Sequence, residues 1–525
     1  MISDQNRWQR IGTQKRSGVL APLFSVYSKN SLGIADFADL KLLIDWCVLT
    51  GNSILQLLPM NEMGSLHCPY DALSSFALEP VYLSLDKPNP VTKKFCNVAR
   101  KKFPLQKNYV NYGIKEEKLC LLEDIYIKEN LLKGPGFKQF ITENDYWLLD
   151  FALYKVLKAY HQARPWYEWE DKFKNREELT LETFTKEHKA EIDFQMWLQW
   201  FAFKQIKEVK EYAKVKKVFL MGDLPLLVSR DSADVWAHSE YFKLEFAAGA
   251  PPDMYCSKGQ RWGMPTYNWQ RIAADDYCYL KEKLKYAQNF YDILRIDHVV
   301  GLFRIWSIPC QEPLENKGLH GFFDPQDERE WEGQARNILS IILNNTNMLV
   351  CAEDLGIIPK ACPKTLEELG IPGNDVQRWM KDWNVSQDFL RPDEYRRLSI
   401  AMLSTHDTSN WPSWYESEAG AIDKEKLWRH LGIKGPMREK SDREIIRQAL
   451  EITLEANSIF CINTIIDWLY LSDIFKGGPY QYRINTPGTI SAKNWSFVLP
   501  LPLEKLLKHK VNKEIRKLIE SSGRI

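Results

Sequence analysis

A surplus of charge of either sign is missing from this 525-residue sequence. Its 70 Lys and Arg face 69 Asp and Glu, a formal net charge of +1. That balance supplies no general field for a nucleic acid or an anionic membrane, so neither partner is expected. Long apolar runs are missing as well: none approaches the ~20 residues that span a bilayer. The N-terminus, Met1-Ile2-Ser3-Asp4-Gln5-Asn6-Arg7, lacks the apolar core of a signal peptide. The 10 cysteines are scattered singly, with no Cys-x-x-Cys pair and no His-x-x-x-His partner nearby. This argues against a zinc site and against a disulfide framework. Free thiols in a reducing cytoplasm are the simplest account, and a cytoplasmic location is expected. Neither a Gly-x-x-x-x-Gly-Lys-Ser/Thr loop nor a Gly-x-Gly-x-x-Gly fingerprint is evident. No cofactor and no metal are expected.

Aromatic residues are plentiful, at 13% with 19 Trp. Core packing explains most single tryptophans, but the total also suits a ligand built of rings. At roughly 100–200 residues per domain, length alone suggests three or four domains. A barrel with insertions, however, can exceed 400 residues as one unit.

Short apolar runs ending in polar residues recur along the chain, at 19–24, 54–59, 218–223, 293–297, 348–354, 400–407 and 459–463, with a weaker candidate at 375–379. Each reads as a buried parallel strand. Helical spacing over 36–48 and 330–343 separates neighbouring runs, and strand–helix alternation points to a parallel sheet with crossover helices. Eight units would close a barrel; fewer would leave a doubly wound sheet. The second and third runs are about 160 residues apart, too far for a loop. The intervening helix-like segments at 143–160 and 186–212 read as an inserted subdomain. A charged amphipathic helix over 501–518 is expected on the exterior.

The position of the acids is the informative pattern. Asp223, Asp297, Glu353 and Asp407 each end a strand-like run. In a barrel all strand C-termini open on one face, where active sites lie. Carboxylates gathered at one rim suit a metal site or carboxylate acid/base chemistry. Arg295, two residues before Asp297, projects to the same side of its strand. A fixed guanidinium there competes with a cation and is expected to keep Asp297 ionised. An ionised carboxylate facing a second carboxyl group is what retaining glycoside cleavage requires. Rim salt bridges or loop caps would place acids at strand ends too.

Three strings, Arg-Ile-Asp-His (295–298), Cys-Ala-Glu-Asp-Leu-Gly (351–356) and Ser-Thr-His-Asp (404–407), resemble the catalytic strand ends of the alpha-amylase clan. Longer strings at 222–237, 251–265, 31–40, 68–70, 74–77 and 483–489 are similar to the amylomaltases, the 4-alpha-glucanotransferases of glycoside hydrolase family 77. The resemblance runs from about residue 18 to 503 and is weak only in the helical insert. It implies an α/β fold, a (beta/alpha)8 TIM barrel with inserted, largely helical subdomains. The expected organisation is one catalytic barrel over 1–525, a mostly helical insertion at about 80–215, and a substrate-covering insertion at about 228–290.

The resemblance further implies that Asp297 is the nucleophile, Glu353 the acid/base, and Asp407 the residue that binds sugar hydroxyls and steadies the transition state. Arg295 would orient Asp297, and His298, His406 and Asp223 would serve the donor sugar. Tyr70, Asp253, Tyr255, Gln260, Trp262 and Asn485 match further substrate contacts, although core packing would also account for Tyr70 and Tyr255. The implied partners are an alpha-1,4-glucan or maltooligosaccharide donor and a glucose or glucan acceptor. An alpha-glucan hydrolase and a non-catalytic glucan-binding protein are the alternatives. The chain departs from the family pattern at Met254, Met264, Ser404 and Thr408, which bears on acceptor recognition. The string 295–309 looks closer to the branch containing plant cytosolic disproportionating enzymes.

Overall fold

The structure, a computed structural model, describes residues 6–85, 90–105, 109–129, 135–253 and 256–524. Met254 and Tyr255 lie outside the described residues. Eight parallel strands form the core: β1 (Arg16–Leu20), β2 (Ile54–Gln56), β3 (Phe219–Leu224), β4 (Ile293–Ile296), β5 (Leu349–Ala352), β6 (Gly373–Val376), β7 (Ser399–Met402) and β8 (Phe460–Thr464). Their order in the sheet is β5-β4-β3-β2-β1-β8-β7-β6, so the chain winds round and leaves β5 and β6 at the two ends. Across that seam the Ala352 N–H donates to the Pro372 carbonyl at 2.8 Å, drawing the sheet into a nearly closed TIM barrel.

Each of the eight sequence-read runs overlaps a strand, but the ends move. The first run, read as 19–24, is paired only over Arg16–Leu20. The Ala21 N–H makes one more bond, to the Gln56 carbonyl. Pro22 has no N–H to continue the ladder, and Leu23–Ser25 coils into a 3-10 turn. Likewise the weak sixth run pairs over Gly373–Val376, and Gln377–Trp379 is a 3-10 turn. Two glycines are required by close approach. A Cβ on Gly222 of β3 would stand 2.3 Å from the Tyr291 ring. One on Gly373 would meet the Asp354 carboxylate at 2.5 Å, where that carboxylate accepts from the Asn374 N–H.

Helix Phe37–Thr50 follows β1 and is set by its ends. The Asp36 side chain accepts from the Ala38 N–H, Asp39 reaches back to the Asp36 N–H, and Gly51 terminates the helix at φ +85°. The segment read as one helix over 501–518 is two, Leu503–Leu506 and Val511–Ser521. It packs on the exterior through Phe37–Thr50, where the Trp46 indole donates to Asn512 at 2.9 Å.

Between β2 and β3 the chain forms helices that include Ile114–Glu129, Asp145–Tyr160 and Lys189–Val215. Beyond β3 a small antiparallel sheet joins Phe246–Ala250 and Gln260–Arg261 to Ile305–Pro309 and Phe322–Asp324. The loops after β3 and β4 are therefore one structural unit. Among the described residues no helix is long and apolar enough to cross a membrane.

Candidate active site

Strand register brings the acids together. Asp223 on β3 and Cys351 on β5 both pair with Arg295 of β4. Two residues further along, Asp297 and Glu353 leave their strands at a common level, because side chains two apart point to the same face. Arg295, 5% exposed, is the hub. Its Nη1 donates to both oxygens of Asp223 at 2.6 Å and to Asp297 Oδ1 at 3.0 Å. Its Nη2 donates to Glu353 Oε2 at 2.9 Å. One guanidinium thus ties three carboxylates, and it confines Asp297 and Glu353 to the two ends of its own short span.

Glu353 Oε2 takes a second bond, from the His298 backbone N–H at 2.9 Å. His298 can aim that N–H because its φ is +43°, a left-handed conformation rare for a residue with a Cβ. Asp407, on the turn after β7, is held from the opposite direction. Asn485 Nδ2 donates to its Oδ1 at 2.7 Å, His406 Nε2 lies 3.2 Å from its Oδ2, and Arg483 donates to its carbonyl at 3.0 Å. Tyr70 donates to Asp223 Oδ2 at 2.7 Å and stacks on His406 with centroids 5.2 Å apart.

The charges follow from this wiring. Burial works against ionisation of Asp407, yet His406, Asn485 and Arg295 outweigh it and hold the carboxyl at about 2. Asp297 is shifted the other way. Burial, together with the charges of Glu353, Asp223 and Asp407, pushes its carboxyl well above the usual range despite Arg295. Burial also opposes the charge on Glu353, but Arg295 and His298 overcome it and hold this carboxyl below its ordinary value. Three carboxylates share one cation, with the shorter contacts going to Asp223 and the longest to Asp297. Asp297 and Glu353 therefore titrate as a pair.

The other sequence-read residues divide. Trp262 sets its ring edge-on to His298, centroids 5.0 Å apart, and donates to Gln260 at 3.1 Å, so both reach the cluster from the loop after β3. Asp253 accepts from the Cys256 N–H at 2.6 Å and ties that loop to itself. Tyr255 lies outside the described residues. Two departures have structural accounts: Ser404 Oγ accepts from buried Arg378, and Thr408 Oγ1 accepts from the Thr405 N–H to close the turn that presents Asp407. Two contributors went unassigned in the sequence, Arg483 and Trp495, the latter packed against Tyr70 and His406. Arg483 opens the 483–489 string and could have been found there; Trp495 carried no signal. Among the described residues no group of three or more His, Cys, Asp or Glu side chains is arranged to hold a metal ion.

Comparison with known proteins supplies the family. A family model described as 4-alpha-glucanotransferase matches residues 21–502. The chain belongs to that family. It is 37% identical over 513 residues to the 4-alpha-glucanotransferase of Chlamydia pneumoniae, covering 96% of this chain and 95% of that one. It is 26% identical to the 4-alpha-glucanotransferase DPE2 of Oryza sativa subsp. japonica, over 97% of this chain and 70% of the rice protein. Among solved structures, an amylomaltase from Streptococcus agalactiae in complex with acarbose superposes with a TM-score of 0.82 at 24% identity, covering 97% of this chain and all of that one. That likeness supports the TIM-barrel fold. This member of the 4-alpha-glucanotransferases is thus a glycosyl-transferring enzyme whose strand-end acids stand in one cluster.

Proposed function

We propose that this enzyme transfers segments of alpha-1,4-glucan between chains by a double displacement centred on Asp297 and Glu353. The observation that carries the reading is the single guanidinium of Arg295 bonded to both carboxylates. Arg295 engages Asp297 Oδ1, so Oδ2 is the attacking oxygen. As Oδ2 bonds to the anomeric carbon, the bond from that carbon to the departing chain breaks, and Glu353 gives its proton to the leaving oxygen. In the second half an acceptor 4-hydroxyl passes its proton to Glu353, bonds to the anomeric carbon and releases Asp297. Both half-reactions exchange one acetal-like bond for another, so no external energy source is needed.

The reaction requires that the pair present an ionised Asp297 and a protonated Glu353 when a donor binds. Positive charge developing at the anomeric carbon favours that arrangement, because it lies against Asp297 and stabilises its ionised form. Asp407 is ionised throughout, with one oxygen held by Asn485, and it is suited to accept sugar hydroxyls and to face the oxocarbenium-like charge. Tyr70 over His406 offers an aromatic wall for the donor ring.

Transfer requires that sugar outcompete water at the intermediate. The loop from Gly249 to Trp269 is the cover in this reading, and its Trp262 reaches His298. Incubation with maltotriose alone tests the assignment. Transfer yields glucose together with oligomers longer than three units; products that are all shorter would make the enzyme a hydrolase. Trp262→Ala is expected to raise the ratio of hydrolysis to transfer, and an unchanged product ratio would remove the loop from this role.

A further inference from the structure

The segment from Lys476 to Asn485 has two faces. One carries Arg483 and Asn485 to Asp407. The other, through Gly477 and Pro479, walls a cleft of about 360 Å³ that also contains Glu416, Arg443, Tyr470, Ser472, Asp473 and Lys510. Glu416 follows β7, Tyr470 to Asp473 follow β8, and Arg443 begins helix Arg443–Glu455, which leads down to β8. The cleft therefore opens on the rim of the same barrel face as the acid cluster, behind the wall that fixes Asp407.

We infer that this cleft is a second, non-catalytic site for an alpha-glucan chain. The inference rests on the proposed function, which supplies the ligand. The volume falls within the range of small-ligand sites. The lining matches a neutral polyol rather than an ion: Glu416 and Asp473 oppose Lys510 and Arg443, the latter already paired with Glu514. The Ser472 hydroxyl, which donates to the Leu469 carbonyl and keeps an oxygen that can accept, and the Tyr470 ring complete it. Asp442, also in the wall, is taken up by Arg438 and by the first N–H groups of its helix. Glu416 Oε1 is already held by the Ser441 N–H and hydroxyl, so its carboxylate is presented in one orientation. Lys510 has no ion pair among the described residues, which leaves its ammonium to donate to a hydroxyl. Fixed acceptors, the Lys510 ammonium and one aromatic ring suit sugar hydroxyls and a sugar's apolar face; a phosphate would meet three carboxylates, those of Glu416, Asp442 and Asp473, against two cations.

The wall is also wired to the reaction centre. The Pro479 carbonyl accepts from Asn410 Nδ2 at 2.9 Å and lies 3.5 Å from the Tyr470 hydroxyl, and Asn410 also holds the Tyr482 carbonyl next to Arg483. A chain seated in the cleft thus bears on the segment that holds Asp407. Its consequence is selective anchoring: long glucans span both sites, and short ones reach only the acid cluster.

The test uses Lys510→Ala combined with Asp473→Ala, two exposed positions outside the acid cluster. In an Asp297→Asn background, which does not consume the polymer, retardation in amylose-containing gels measures affinity. Loss of two hydrogen bonds to charged groups is expected to weaken amylose binding about tenfold or more. In the active parent the same pair is expected to raise KM for amylose and to leave kcat and KM on maltotriose unchanged. Unchanged amylose retardation overturns the inference. A parallel loss on maltotriose overturns it too, because the pair would then act through folding or through Asp407. Failure of the unsubstituted enzyme to transfer from maltotriose would instead overturn the proposed function itself.

Discussion

Replacing Arg295 with lysine keeps a positive charge at the hub and removes its reach. The guanidinium makes bonds to Asp223, Asp297 and Glu353 from two nitrogens. A single ammonium on a shorter stem can stay with Asp223, the nearest partner, but cannot also span Asp297 and Glu353. Two charge-assisted bonds are then lost, at about 1.5–3 kcal/mol each. If that organisation is needed in the transition state, Arg295→Lys lowers kcat by about 10²–10⁴. The pH profile provides a second, independent readout. Arg295 is the leading influence that pulls Glu353 down against burial, and it also restrains the rise of Asp297. Weakening it raises both titrations of the pair, so both limbs of the bell-shaped kcat/KM profile move to higher pH. Glucose release from maltotriose across the pH range, on protein shown to be folded by circular dichroism, measures both effects. Activity within about threefold of the parent, with an unmoved profile, would refute the claim that one guanidinium organises the site.

Asn485→Ala removes the 2.7 Å bond to Asp407 Oδ1; kcat/KM is expected to fall by about 10–100-fold, and Asp407 to titrate upward from about 2. A variant with parental kinetics would show that His406 and Arg483 suffice. Lys283 is a different case, since it is buried away from the cluster and, among the described residues, has only the Tyr267 hydroxyl, 3.3 Å away, as its hydrogen-bond partner. Burial pulls its amine from 10.5 down to about 8, with Asp234 opposing. The unfolded chain therefore binds this proton more tightly, so the cost of charging the buried amine is complete below pH 8 and vanishes above pH 10.5. Lys283→Met is expected to stabilise the fold by about 3 kcal/mol at pH 7 and by much less at pH 10, read from urea midpoints; an equal gain at both pH values would contradict this account.

Much of the barrel was legible because its strands are buried on both faces and read as unbroken apolar runs. The ends were less legible, since pairing stops where a backbone donor or a register partner runs out, as at Pro22. The acids were legible for a related reason: a polar residue closing a buried run has to lie where the strand surfaces. Trp495 gave no sign, because its value lies in two side chains, Tyr70 and His406, that stand 425 and 89 residues before it in sequence.

The sequence by itself determined which chemical groups stand at the strand ends, and that Arg295 and Asp297 share a side, because alternation along a strand is a local property. Only the tertiary structure decided which carboxylate holds the arginine most closely. The pairing of β3 and β5 with β4 sets Asp223 level with Arg295 and lifts Asp297 and Glu353 one step above it. Charge states in a buried cluster depend on those distances and on burial, and neither quantity exists until distant segments of the chain are packed together.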